Sequence, residues 1–141
     1  MISKKTFYIL SLVWGFPMTL AGIFVAVVLF VLGYEPKKWC DCCYFEIGEH
    51  WGGFNLGPVF LIQKYTGDYL KDHEHGHAIQ NCFLGPLMPI VIVLPSVIRY
   101  WYRESQTRRG IQPKTGYYDI WFERMASDFG VNHRAIREKE L

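Results

Sequence analysis

Twenty-nine consecutive residues, Thr6 to Tyr34, carry no formal charge. A run this long and apolar must be buried by the rest of the chain, covered by lipid, or cleaved off as a signal peptide. A bilayer core is matched by about 20 apolar residues of helix, and Phe7–Leu32 exceeds that. A cleaved signal would have a shorter apolar core followed by a small-x-small site. Here Gly33, Tyr34, Glu35 and Pro36 follow, and they read as a helix stop. The expectation is a retained transmembrane helix over 6–33, kinked at Pro17. A chain of 141 residues is one domain's worth of sequence. Half of it is hydrophobic and only 20% charged, which excludes a disordered tail or charged linker.

A second uncharged run covers Ala78–Ile98 and contains Gly85, Pro86, Pro89 and Pro95. Prolines are tolerated at membrane depth where neighbours satisfy the freed carbonyls. Residues 83–102 therefore read as a second membrane segment, either bent and crossing or re-entrant. Tyr100, Trp101 and Tyr102 between Arg99 and Arg103 resemble an interfacial belt. Arg99, Arg103, Arg108 and Arg109 would meet anionic lipid headgroups or simply set topology. The formal charge is +2, with no strongly basic face, and that speaks against a nucleic-acid partner.

Charge changes sign along the chain. Residues 34–77 carry four lysines against seven acids, and residues 78–141 carry nine basic against six acidic residues. The positive-inside rule would then put both ends in the cytoplasm. Between the runs, 51–64 reads as a small hairpin. Its stretch Phe54–Ile62 either offers an edge to an extended peptide or merely covers a neighbouring helix. Residues 117–130 have helical periodicity, with Tyr118, Trp121, Met125 and Phe129 on one face.

Residues 73–77 read His-Glu-His-Gly-His. This is H-E-x-x-H, expected on a helix over 67–82. His73 and His77, four apart, share a helix face and can reach one metal ion. Glu74 sits where it can accept a proton from a metal-bound water, the chemistry of zinc-dependent peptide hydrolysis. His75 points about 200° away from His73 and is expected to be solvated or to back a ligand. Zinc catalysis needs a third protein ligand and an open position. His50, His133, Asp119, Glu123 and Asp128 qualify by type. Glu123 is favoured, because Ala126, Ser127 and Gly130 follow along its face and would let its helix approach the motif helix closely. Cys40, Cys42, Cys43 and Cys82 lack zinc-finger spacing. They read as small interfacial residues, free thiols inside the cell and open to a disulfide outside it.

His73 to Gln80, H-E-x-G-H-x-x-Q, resembles the active-site helix of membrane zinc proteases, and Glu123 to Ala126 is similar to the glutamate-bearing helix of gluzincin-type enzymes. A closer resemblance is to small bacterial integral-membrane H-E-x-x-H proteins. It is carried by Trp51-Gly-Gly-Phe-Asn-Leu-Gly57, His73 to Gln80, Gly85-Pro-Leu87, Leu94-Pro-Ser96 and Trp121 to Gly130, over about residues 45–130. The resemblance implies His73, His77 and Glu123 as zinc ligands and Glu74 as general base. One position departs. Gluzincin-type helices often carry an Asp four residues after the ligand Glu, where this chain has Ser127.

The reading is a single mainly α membrane domain over 1–141. It has one or two transmembrane helices, a short β-hairpin, an H-E-x-x-H helix and a C-terminal helix carrying the third ligand. Its expected function is a membrane-embedded zinc peptidase acting on a membrane-associated peptide or protein, with zinc-bound water activated by Glu74. The alternative is a metal-binding sensor or accessory subunit. The expected location is the bacterial cytoplasmic membrane, with lipid as partner and the site near the cytoplasmic face. One conflict stands: His73 and Glu123 must meet at one metal, yet a full crossing between them would put them on opposite sides.

Overall fold

The computed structural model describes residues 2–140, so the outermost residues of the expected domain, Met1 and Leu141, lie outside the described residues. The first apolar run is not one helix. Helix α1 (Lys4–Ile9) is capped by Ser3, whose hydroxyl accepts from the Thr6 amide at 3.1 Å, and passes into a π-helical turn, Leu10–Trp14. The chain then turns at Gly15, and α2 (Phe16–Val31) leaves with a 96° bend. Pro17 does not kink a helix interior. It occupies the first turn of α2, where its missing N–H has no helical partner to lose. At 16 residues α2 is about 24 Å long, short of the roughly 30 Å hydrocarbon core.

The second run is also bent. Helix α3 (Asp68–Leu84) carries the motif and ends at Gly85, whose φ of +54° suits a residue without a Cβ. A 3-10 turn (Gly85–Leu87) and a π-helical turn (Pro89–Val93) follow, and α4 (Leu94–Arg108) departs at 115° to α3. Among the described residues no single helix is long and apolar enough to cross a membrane. The single helix expected over 6–33, kinked at Pro17, is corrected to a bent pair that turns at Gly15, and 83–102 is bent, as one of its two expected forms had it, at Gly85, Pro86 and Pro89.

Four short strands form one sheet in the order β1 (Lys37–Trp39), β2 (Cys42–Glu46), β4 (Val59–Ile62), β3 (Gly53–Leu56). The expected hairpin over 51–64 is β3–β4. It is joined at Gly57 and Pro58 and paired from Leu56↔Val59 to Gly53↔Ile62. The antiparallel β1–β2 hairpin is additional, and β2 runs parallel to β4. Its turn was hidden in the cysteine cluster: Cys40 has φ +49°, unusual for a residue with a side chain.

Helix α5 (Trp121–Lys139) crosses α3. Its buried stripe is Phe122, Glu123, Ala126, Ser127, Gly130 and His133. Trp121, on the apolar face read through Tyr118, Trp121, Met125 and Phe129, is exposed, and the small residues Ala126, Ser127 and Gly130 on the face of Glu123 lie against the partner helix, as their spacing suggested. The crossing is close. A Cβ on Gly76 would fall onto the Ala126 carbonyl, and one on Gly130 onto that of Asp72.

One apolar cluster, including Phe7, Tyr44, Phe60, Ile62 and Ile79, fills the space between α1, the sheet and α3. A second, Met18, Met88, Ile92 and Phe122, joins α2 to the π-turn and α5. Helix α2 buries only Met18, Thr19 and Gly22, leaving Leu20, Phe24, Val27, Phe30 and Val31 exposed. Helix α4 has no buried residue. Arg99 donates to the Gly116 and Tyr117 carbonyls and Arg103 to that of Thr115, so these two arginines brace the segment that leads into α5.

Candidate metal centre

The crossing of α3 over α5 places three donor atoms together. Glu123 Oε2 lies 3.0 Å from His73 Nε2 and 3.2 Å from His77 Nε2, and the two Nε2 atoms are 3.1 Å apart. All three side chains are buried. Ligands at zinc distances of about 2.0–2.1 Å in a tetrahedral shell would stand roughly 3.3 Å apart, so the spacing fits one small cation.

The outer hydrogen bonds fix which ring nitrogens face inward. Gln80 Nε2 donates to the Phe122 carbonyl at 2.8 Å, which leaves Gln80 Oε1, an acceptor only, 2.7 Å from His77 Nδ1. His77 therefore donates from Nδ1 and turns a lone pair at Nε2 inward. Ser127 Oγ donates to the Glu123 carbonyl at 3.3 Å and receives Tyr69 Oη at 3.1 Å. Its contact with His73 Nδ1, 2.9 Å, is then an acceptance, and His73 also presents a bare Nε2. Ser127, at the position where the resemblance expects an aspartate, thus holds the outer nitrogen of His73. Three lone-pair atoms this close require a shared cation, a proton or a metal ion. Burial alone would raise the Glu123 pKa, but the closeness of the His73 and His77 imidazoles reverses that and holds the carboxyl well below its usual range. The group is an anion facing two imidazoles.

Glu74 enters the same cavity from the next position on α3. The cavity is about 460 Å³, walled by the Gly53–Asn55 edge of β3 on one side and by Met88, Ile92 and Val97 on another. Glu74 Oε2 is buried without a partner, and burial raises its pKa to about 7. Gly53 makes room for it: a Cβ there would lie 2.5 Å from Glu74 Oε1. Asn55 Nδ2 donates to the Glu74 and Gly57 carbonyls, both at 2.9 Å, fixing strand to helix. Tyr117 and Tyr118 also line the cavity, with the Tyr118 ring edge-on to His73.

The remaining sequence candidates lie elsewhere. His50 is exposed, Asp128 is exposed, and Asp119 caps the Gly116 amide at 2.5 Å. His75 does point away from His73, but it is fully buried rather than solvated. Its Nε2 meets His133 Nδ1 at 2.8 Å and its Nδ1 meets Cys42 Sγ at 3.2 Å. His133 Nε2 in turn donates to the Ile2 carbonyl at 3.3 Å. Every member of this chain has a partner. Asp41, close enough to complete a second metal-binding group with His75 and His133, is occupied by the Arg137 guanidinium at 2.9 Å. No sequence signal paired His75 with His133, 58 residues apart.

No protein-family model, curated protein or solved structure matches the chain. The fold and site define a mainly helical protein with a small four-stranded sheet and buried His, Asp and Glu groups that could hold a metal.

Proposed function

We propose that the chain is a zinc-dependent membrane peptidase of the H-E-x-x-H type, similar to the small bacterial integral-membrane proteins its motifs resemble. One observation carries this reading. Three lone-pair atoms of His73, His77 and Glu123 converge within 3.2 Å, beside a buried carboxylate, Glu74, whose Oε2 has no partner. A divalent ion held by those three ligands would polarise a carbonyl and acidify water. Glu74, with its pKa near neutrality, suits a group that takes a proton from water and returns it to a leaving amine. The edge of β3 suits a substrate lying as an added strand, which exposes its carbonyls as a helix would not. This narrows the edge expected at Phe54–Ile62 to Gly53–Leu56, since β4 is already paired on both sides. Tyr117 and Tyr118, in the cavity wall, are the candidates to donate to a developing oxyanion.

Membrane residence rests on the apolar surface of α2 and on the two bent helix pairs, which pass by length and composition together. The bend between α3 and α4 supports a path on which α5 returns to α3 without a straight crossing between the two ligand-bearing helices. A site near the cytoplasmic face of a bacterial membrane is consistent with the arginines of α4.

The test is elemental analysis and a proteolysis screen on detergent-purified protein. Wild type should carry about one zinc per chain, and His73→Ala and Glu123→Ala should lose it. Glu74→Gln should keep the metal and lower cleavage by about 10²–10⁴-fold. Metal in wild type with cleavage indifferent to Glu74→Gln would favour a non-proteolytic metal protein, and no metal in wild type would sink the peptidase reading.

A further inference from the structure

Glu123 presents its two oxygens to different neighbours. Oε2 faces His73 and His77. Oε1 accepts a hydrogen bond from Ser96 Oγ at 2.5 Å. Ser96 stands in the first turn of α4, directly after Pro95, far from both the motif helix and the glutamate helix in sequence. An O–H···O⁻ bond of this length is charge-assisted and among the stronger kinds.

We propose that Ser96 is a positioning residue of the metal centre, holding Oε1 so that Glu123 offers a metal ion Oε2 alone. The inference rests on the metal-site reading. The terminal torsion of a glutamate is soft and roughly two-fold. A carboxylate with both oxygens free can rotate to offer both, filling a coordination position that catalysis needs open. With Oε1 engaged, that rotation breaks a strong hydrogen bond. The contact also joins α4 to the centre. Helix α4 buries no residue, and its two arginine contacts reach only the segment before α5. The Ser96 hydroxyl therefore links this cavity wall to a ligand, so a displacement of α4 changes how Glu123 is held.

The experiment uses Co²⁺ as probe on the detergent-purified full chain, with chelator competition for affinity and the visible d–d absorption for coordination. Wild type, Ser96→Ala, and the near-isosteric pair Ser96→Thr and Ser96→Val are compared, with melting of each metal-free form recorded. Ser96→Ala and Ser96→Val should bind Co²⁺ about 10–100-fold more weakly, with a less intense band as the second oxygen joins the metal. Ser96→Thr should restore both. The pair keeps the inference testable if Ser96→Ala fails to fold. Wild-type affinity and spectrum in both hydroxyl-less variants, even with lowered melting, would overturn the inference and leave Ser96 a structural contact. Absence of Co²⁺ binding by wild type would overturn the metal-site reading and this inference with it.

Discussion

At the scale of single residues, the site depends on side chains that never face its centre. Gln80 is the clearest. Its amide carries a bond from His77 to the backbone of α5, accepting from Nδ1 at 2.7 Å and donating to the Phe122 carbonyl at 2.8 Å. Gln80→Leu leaves a buried imidazole N–H without an acceptor, which costs about 1–3 kcal/mol. It also frees the ring to flip. Metal affinity should fall about 10–100-fold, read by chelator competition. The histidines behind the site make a prediction of another kind. Burial lowers the His133 pKa, with Arg137 acting the same way against the Ile2 carbonyl and Asp41. Burial also takes His75 down to about 3. Both are therefore neutral in the folded protein where unfolded histidines begin to charge, near pH 6.5. Below that pH the unfolded chain binds more protons at these two positions, so their contribution to stability is complete above about pH 6.5 and falls as pH drops further. Glu74, raised to about 7 by burial, works in the opposite sense, so the histidines are read by difference. Between pH 8 and pH 5 in urea unfolding, His133→Gln should lose less stability than wild type, without losing the whole effect, since His75 remains. Of these residues, His73, Glu74, His77 and Glu123 were legible in the sequence because a four-residue spacing and a small-residue stripe carry geometric meaning on a helix. His75, expected to be solvated or to back a ligand, is instead buried against His133 and Cys42, because helical periodicity gives the direction of a side chain and not what lies there.

At the scale of elements, the centre exists because two helices approach at backbone distance. Gly76 lies against Ala126 and Gly130 against Asp72, with room for hydrogen only. Gly130→Ala must push α5 away from α3, and because its neighbour is backbone, no rotamer relieves the clash. We expect a loss of about 3 kcal/mol, the upper end for overpacking, together with loss of metal binding as Glu123 is carried away from the histidines. Thermal melting with and without Zn²⁺ checks both: the stabilisation by metal expected of wild type should vanish in the variant. The stripe Ala126, Ser127 and Gly130 could be read from sequence, because closeness is a property of small side chains at helical spacing. The apolar stripe through Tyr118, Trp121, Met125 and Phe129 was legible as a face, but periodicity does not say what lies against it: Trp121 is exposed, and Met125 and Phe129 are half-buried. The helix breaks were also partly legible. Pro86, Pro89 and Gly85 mark the second bend, whereas the first occurs at Gly15, where one glycine in an apolar run gives no distinctive signal.

At the scale of the molecule, the unresolved force is on the apolar surface. Phe24 and Val31 are 70% and 77% exposed on α2, with Leu20, Val27 and Phe30 beside them. In water such a patch promotes association, whereas in a bilayer it is ordinary. Helix α2 is attached through Met18, Thr19 and Gly22, with Gly22 close enough to the Leu56 carbonyl that a Cβ would meet it. The outer face can therefore change without touching the fold. Phe24→Lys combined with Val31→Lys places two charges where we expect hydrocarbon. Translocon scales put a lysine at a helix centre at about 2.5–3.5 kcal/mol, which applies at Phe24, with a smaller cost at Val31, the last residue of α2; together they disfavour insertion if α2 is the anchor. Wild type should stay in the membrane fraction through alkaline carbonate and be released by detergent. The double variant should leave that fraction while still binding Zn²⁺, because the substituted side chains face away from the centre. A wild type washed off by carbonate would make the protein peripheral and remove the membrane from its proposed chemistry. A double variant that stays embedded would shift the anchor to the bent pair of α3 and α4, and with it the depth at which Glu74 and its three neighbouring ligands work.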